Sequence, residues 1–375
     1  MAGIYIHIPF CKQACHYCNF HFSTNTTLQN DFTVALLKEM RERSFYLGGE
    51  SVETIYFGGG TPSLLPDIVL LEILNSLRLQ FPISPDPEIT LESNPDDMDP
   101  ARLKSWKEMG INRLSIGIQS FFPEDLGWMN RAHDARQAVQ ALEQTQQAGF
   151  DQFSLDLIYG SPGLSNDKWT KNLQTALSFN PPHISCYALT VEPKTALHAM
   201  IRMKKSADVR PDAQAAQFLT GIEVLESAGY EHYEISSFAK PGSRSRHNSS
   251  YWHSKKYLGL GPSAHSFDGN NRQWNIAHNA RYIHAVITGQ NYFESEILQP
   301  RDLLNEYIMT SLRTREGLDL QQVSMRFGDD KGKKLEEQAS AYIGLNQMAN
   351  QDGKLVLTGD GKLFADGIAA ALFFD

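Results

Sequence analysis

The chain has 375 residues, 41% of them hydrophobic and 21% charged, with a net charge of −9. That is enough for one large catalytic domain with a smaller one appended, and the acidic balance without a long basic run argues against nucleic-acid binding driven by bulk charge. Residues 1–10, MAGIYIHIPF, do not read as a signal peptide, and no apolar run approaches the roughly 20 residues of a membrane helix, so a cytoplasmic protein is expected, with peripheral membrane contact left open.

Strand-like runs, short and near-continuously apolar as buried parallel strands are, fall at 3–8, 52–58, 88–94, 112–120, 150–160 and 183–191. Each is followed by a segment with helical apolar spacing: 32–45, 68–81, 101–110, 135–149, 168–179 and 215–229. Gly110, Gly149 and Gly229 stand where helices end, and Asp99-Pro100 and Asp212 where they begin. Six successive β–α units predict an α/β fold with helices outside a parallel sheet, a partial (β/α)6 barrel or a doubly wound sheet. In either, chemistry gathers at the C-terminal ends of the strands. From about 230 to 292 the rhythm breaks into His, Asn, Ser, Gly and aromatics. Residues 303–317 read as a helix, and NQDGKLVLTGDGKLFADG as a hairpin turning at Asp352-Gly353. Three regions are expected: a barrel over 1–230, an extension over 231–299, and a small winged-helix-like α+β domain over 300–375. The last is not strongly basic, which favours a structural or partner-docking role over DNA binding.

Of four cysteines, Cys11, Cys15 and Cys18 lie within eight positions and Cys186 stands alone. A disulfide framework would need more cysteines spread over a shorter chain, so the cluster points to metal. Three thiolates just after the first strand can hold three irons of a cubane [4Fe–4S] cluster, which leaves one iron for a small chelating ligand. Zinc is the alternative, with His16 or His21 as the fourth ligand that a closed site needs. Cys186, in mid-strand, reads as a small buried hydrophobe. Gly58-Gly59-Gly60-Thr61-Pro62 ends the second strand, where glycine lets the backbone approach a ligand. Glu92, Gln119 and Asp156 lie at or toward the ends of the next three strands, and Arg131 follows the fourth. Their convergence beside the cysteine loop predicts ligand contact.

CxxxCxxC after a first strand, with the aromatic Tyr17 inside it, resembles the signature of the radical S-adenosylmethionine (SAM) superfamily. The resemblance implies that the amino and carboxylate groups of SAM chelate the open iron. It also implies that one electron from the cluster cleaves SAM to methionine and a 5′-deoxyadenosyl radical, the cofactor carrying the hard chemistry. Tyr5, six residues before Cys11, joins Gly59, Glu92, Gln119, Arg131 and Asp156 in a pattern similar to that of the oxygen-independent coproporphyrinogen III oxidase family, over most of the chain. By that resemblance Tyr5, Tyr17, Gly59 and Glu92 belong with the cluster-bound SAM. Gly60, Thr61, Gln119, Arg131 and Asp156 line a neighbouring pocket for a second SAM.

Two departures argue against oxidase activity. Phe20 stands where the oxidases carry a fourth cysteine, and only four residues precede Tyr5 where they carry an extension. His247-Asn248-Ser249-Ser250-Tyr251-Trp252 resembles the HNxxYW mark of the haem-chaperone branch. This implies a protein that binds haem as cargo and delivers it to haem-dependent respiratory proteins, and it allows for a homodimer. Histidine is a common axial ligand to haem iron, and Tyr and Trp offer flat apolar faces, so His247, Asn248, Tyr251 and Trp252 are the haem-binding candidates. A histidine taken alone is more often a hydrogen-bonded structural residue. His265, in LGLGPSAHS, is a second candidate. The alternatives are a working coproporphyrinogen III oxidase of haem biosynthesis and a structural or zinc-binding docking protein.

Overall fold

A computed structural model describes residues 2–374. The first two thirds are built from β1 (Ala2–Ile8), α1 (Gln29–Glu42), β2 (Val52–Gly59), α2 (Asp67–Gln80), β3 (Ile83–Ser93), α3 (Pro100–Glu108), β4 (Arg113–Gln119), α4 (Pro123–Met129), α5 (Ala135–Gln147), β5 (Gln152–Tyr159), α6 (Asn166–Ser178), β6 (His183–Ala188), α7 (Ala196–Arg202) and α8 (Pro211–Ser227). β1 to β6 pair in parallel and in chain order. This is the parallel sheet that six β–α units predict.

The expected helix ends recur with their physics. Asp99 accepts from the backbone N–H groups of Ala101 and Arg102 ahead of Pro100, satisfying donors that a helix start leaves free. Strand alternation puts Ile4, Ile6 and Ile8 on the helix side, all fully buried with Phe32, Leu36 and Met40 of α1. Tyr5 and His7 take the opposite, inner face. Cys186 is buried in β6. β3 begins five residues before its apolar run because Pro85 and Pro87 hide its irregular start, where the register to β2 shifts.

The region after 230 does not form a separate layer. β7 (Glu231–Glu234) and β8 (Ser237–Ala239) add antiparallel strands beyond β6. After α9 (Arg246–Trp252), β9 (Tyr257–Leu260) pairs in parallel with β1 on the other edge. β10 (His265–Phe267), β11 (Asn271–Asn275) and, after α10 (Asn279–Thr288), β12 (Phe293–Ile297) continue that edge antiparallel. One twelve-stranded sheet results, ordered β12-β11-β10-β9-β1-β2-β3-β4-β5-β6-β8-β7.

The C-terminal part holds α11 (Pro300–Leu312), β13 (Leu318–Asp319), α12 (Leu320–Phe327), α13 (Asp329–Gly344), β14 (Met348–Gln351), β15 (Lys354–Leu357), α14 (Gly359–Lys362) and α15 (Ala365–Ala371). Its three strands run in the order β13-β15-β14 over a core of its own that includes Leu304, Ile308, Leu335 and Leu355. The β14–β15 turn is Asp352-Gly353, both with positive φ (52° and 83°), as a two-residue hairpin turn of the mirror-image type requires.

Candidate functional site at the strand ends

The loop after β1 is held in place from several sides. Phe10 and Ser23 bridge across its base, and the N–H of Cys11 donates to the carbonyl of Ser23 (3.0 Å). His7 Nε2 donates to the carbonyl of His21 (2.8 Å) from beneath, and His21 Nε2 meets Asn279 Oδ1 of α10 at 2.6 Å. On the far side, Gln13 Nε2 donates to the Asn130 carbonyl and Oδ1, Asn130 Nδ2 donates to the Ala14 carbonyl, and His16 Nδ1 donates to the carbonyl of Trp128 (2.7 Å). The loop thus carries its cysteines on a fixed frame.

Cys11, Cys15, Cys18, Tyr17, Gly59, Gly60, Thr61, Glu92, Gln119, Arg131 and Asp156 line one cavity of about 420 Å³, within the range of small-ligand clefts. Tyr5 is not in the lining. It lies behind the wall, stacked on Tyr56 (6.1 Å between ring centres), and its hydroxyl meets His7 Nδ1 at 3.1 Å. The strand-end rule misses Asn94, which also lines the cavity. Asn94 accepts from Arg131 Nη2 (2.7 Å) and donates to Thr61 Oγ1 (3.4 Å). Its position just past β3 was the available signal. Tyr56 and His7 were also missed, because buried inner-face residues in an apolar strand carry no distinguishing pattern.

The electrostatics of the cavity follow from burial. Glu92 accepts from Tyr56 Oη (2.9 Å) and from the Gly59 N–H (3.1 Å), yet desolvation, with Asp156 adding to it, raises its carboxyl to about 7. Asp156 accepts from Ser115 Oγ (3.1 Å) and is likewise raised by burial. Arg131 reaches Cys15 Sγ (3.5 Å), Tyr17 Oη (3.4 Å) and the Gly117 carbonyl (2.9 Å). Thr61 Oγ1 reaches Cys11 Sγ (3.5 Å). Burial pushes the Cys11 thiol up to about 11 and raises Cys18.

The donor set fits a [4Fe–4S] cluster with SAM. Three sulfurs share the cavity. His16 and His21, the fourth ligands a zinc site would call on, each hold a neighbour through one ring nitrogen, His16 the Trp128 carbonyl and His21 Asn279. Gln119 Oε1 and Arg131 Nε are buried in the cavity wall without a partner, which suits a wall that meets a polar ligand. A Cβ on Gly60 would lie 2.7 Å from the Phe10 carbonyl and 3.0 Å from Cys11 Sγ, so glycine keeps the second strand end close against the cysteine loop.

The HNxxYW residues lie elsewhere. α9 is capped by Ser245, and Glu88 accepts from the N–H groups of Arg246 and His247. His247 is 1% exposed. Its Nδ1 bonds Thr54 Oγ1 and its Nε2 bonds Tyr251 Oη, both at 2.8 Å, and its ring stacks on Tyr56 at 5.0 Å. Burial lowers its pKa to about 3. Thr54 is near the start of β2, and Gly3, which also faces His247, near the start of β1. The motif therefore closes the end of the barrel opposite the cysteines. An axial ligand needs a free nitrogen facing open space, and His247 has neither. Asn248 belongs to the helix cap, and Trp252 lies under the Arg313 guanidinium (5.4 Å). None of the four lines the cysteine cavity.

Comparison with known proteins agrees with this geometry. Residues 5–176 match the model of the radical SAM superfamily, and residues 298–364 match that of the HemN C-terminal domain. The chain is 33% identical to the haem chaperone HemW of Mycobacterium tuberculosis, covering 99% of this chain and 94% of that protein. It is 30% identical to the haem chaperone HemW of Bacillus subtilis over 99% of each. Identity to the haem chaperone HemW of Escherichia coli is 38%, covering 70% of this chain and 69% of that one. Among solved structures, the radical SAM enzyme coproporphyrinogen III oxidase (HemN) of E. coli superposes with a TM-score of 0.86 at 23% identity, covering 99% of this chain and 90% of that one. Among the described residues no helix is long and apolar enough to cross a membrane. Matched over 99% of its length by the M. tuberculosis and B. subtilis proteins, the chain belongs to the radical SAM superfamily and, within its coproporphyrinogen oxidase-like members, to the HemW haem-chaperone family.

Proposed function

We propose that this chain is a cytoplasmic haem chaperone that carries a [4Fe–4S] cluster and SAM, binds haem as cargo and delivers it to haem-dependent respiratory proteins, without decarboxylating coproporphyrinogen III. The observation that carries the reading is the three-thiol cavity, in a chain whose relatives are named haem chaperones, with Phe20 at the position of the oxidases' fourth cysteine. Phe20 is 67% exposed, an apolar side chain presented to solvent beside the cavity.

In this reading Cys11, Cys15 and Cys18 hold three irons, and the cluster supplies an open iron and an electron when bound. Gly59 and Glu92 offer a carbonyl and a carboxylate to the amino group of SAM, with Tyr17 beside them. Tyr5 acts from behind the wall through Tyr56 and His7. Thr61 and Arg131 direct donors at the sulfurs. Gly60, Gln119, Arg131 and Asp156 border the adjoining space, where a second SAM is accommodated.

The oxidase reading draws on the fold shared with the E. coli enzyme. One experiment separates the two. Anaerobically reconstituted protein is incubated with SAM and coproporphyrinogen III, and haem binding and transfer to an apo-cytochrome are followed on the same sample. We expect four irons and four sulfides per chain, haem transfer, and unchanged coproporphyrinogen. Formation of protoporphyrinogen IX overturns the chaperone reading. Zinc in place of iron and sulfide overturns both readings.

A further inference from the structure

With His247 enclosed, the haem reading lacks an iron ligand. Of the twelve histidines, His7, His133, His183, His232 and His247 are buried. His16, His21 and His278 each commit a ring nitrogen to a protein partner. Among the described residues, His265 alone joins exposure to a stacked aromatic partner on a strand: its ring lies on that of Trp274, 6.2 Å between centres and 30° between planes.

The register places this pair on the inner face. His265 is opposite Trp274, Phe267 is opposite Tyr257, and Tyr257 is opposite Gly3 of β1. Directly paired residues share a face and alternate residues along a strand return to it, so His265 and Trp274 lie on the face that carries Tyr5 and His7. Three strand spacings separate β11 from β1, about 14 Å, and this stretch of sheet edge forms a shelf that steps at β9, where the His265 carbonyl covers Gly259.

The shelf is rigid for a reason seen in the core. Buried Glu39 accepts from the Gly261 N–H (2.8 Å) and from Asn275 Nδ2 (2.7 Å), and Asn275 also donates to the Gly261 carbonyl (2.8 Å). One carboxylate thus pins the turn before His265 and the residue after Trp274. Burial, with Arg272 nearby, lowers the His265 pKa, which favours the neutral imidazole that ligates iron.

We propose that His265 is the iron ligand of a haem held against the inner face of β9–β11, with Trp274 stacking on the imidazole and bordering the macrocycle. The site rests on the haem-chaperone reading above and gives it a location, on the opposite side of the cysteine loop from α4.

Hemin is titrated into the reconstituted wild-type protein and into His265→Ala, Trp274→Ala and His247→Ala, read by difference absorbance and EPR, with metal-free protoporphyrin IX in parallel and thermal melts as the folding control. We expect His265→Ala to melt like wild type, to lose the histidine-ligated spectrum and to bind hemin at least tenfold more weakly. Added imidazole should restore the spectrum. Protoporphyrin IX should bind that variant normally and bind Trp274→Ala poorly. His247→Ala should keep the wild-type hemin spectrum even where its melt is lowered. A wild-type spectrum and affinity in His265→Ala overturns the site while leaving the chaperone reading intact. Failure of the wild-type protein to bind hemin overturns both.

Discussion

Glu92 occupies a cavity wall where desolvation moves its carboxyl from 4.5 to about 7. The folded state then keeps a proton that the unfolded chain releases, so this contribution to stability is complete below about pH 4.5 and is lost as pH rises through 7. With some solvent reaching the cavity, the loss is about 2 kcal/mol. Thermal melts of the cofactor-free protein at pH 5 and pH 8 should show a smaller decline for Glu92→Gln than for wild type; parallel declines would refute this. The same substitution should weaken SAM binding about tenfold. Arg131 makes a different prediction. Its planar fork divides donors among Asn94, Gly117, Tyr17 and Cys15, a geometry lysine lacks. Arg131→Lys keeps the charge, yet calorimetry should find SAM binding reduced tenfold or more, and retention of wild-type affinity would show that charge alone suffices.

Where elements meet at the site, the end of β2 lies close against the cysteine loop. Gly60→Ala places a Cβ against two backbone carbonyls, Phe10 and Ile8 at 2.7 and 2.9 Å, and the loop must shift. Iron and sulfide analysis after reconstitution should give under half the wild-type cluster content, with the far-UV spectrum unchanged. Much at this scale was legible beforehand. The six β–α units, their glycine ends and the Asp352-Gly353 turn rest on local chemistry that a short window of sequence contains. The edge strands β7 to β12 were not legible, because three to five residues are too few for a period and their pairing is non-local. The strand-end rule brought Glu92, Gln119 and Asp156 to one cavity with the cysteines. It could not reveal that Tyr5 lies behind the wall or that His247 faces the opposite end, since the face and depth of a short helix such as α9 depend on what it packs against.

Across the whole molecule, the barrel and the C-terminal part meet at Arg313. Its guanidinium pairs with Glu234 (3.3 Å) and Asp366 (2.8 Å) and covers Trp252. Burial raises the Glu234 carboxyl while Arg313 opposes that shift, so removing the cover exposes a pair joining both parts. Trp252→Ala should speed limited proteolysis between β12 and α11 severalfold while leaving the cluster spectrum intact. Cleavage at the wild-type rate would mean that Trp252 does not fasten the two together.

The cysteine loop is translated well before one of its anchors: His21 is tied to Asn279, 258 residues further along the chain. The shelf beside it, at His265 and Trp274, is translated just before that anchor. A nascent polypeptide that has not reached α10 has the three sulfurs and most of the contacts that steady their loop, but lacks this one. Truncations that stop short of α10 therefore leave the cysteine loop without its His21–Asn279 tie.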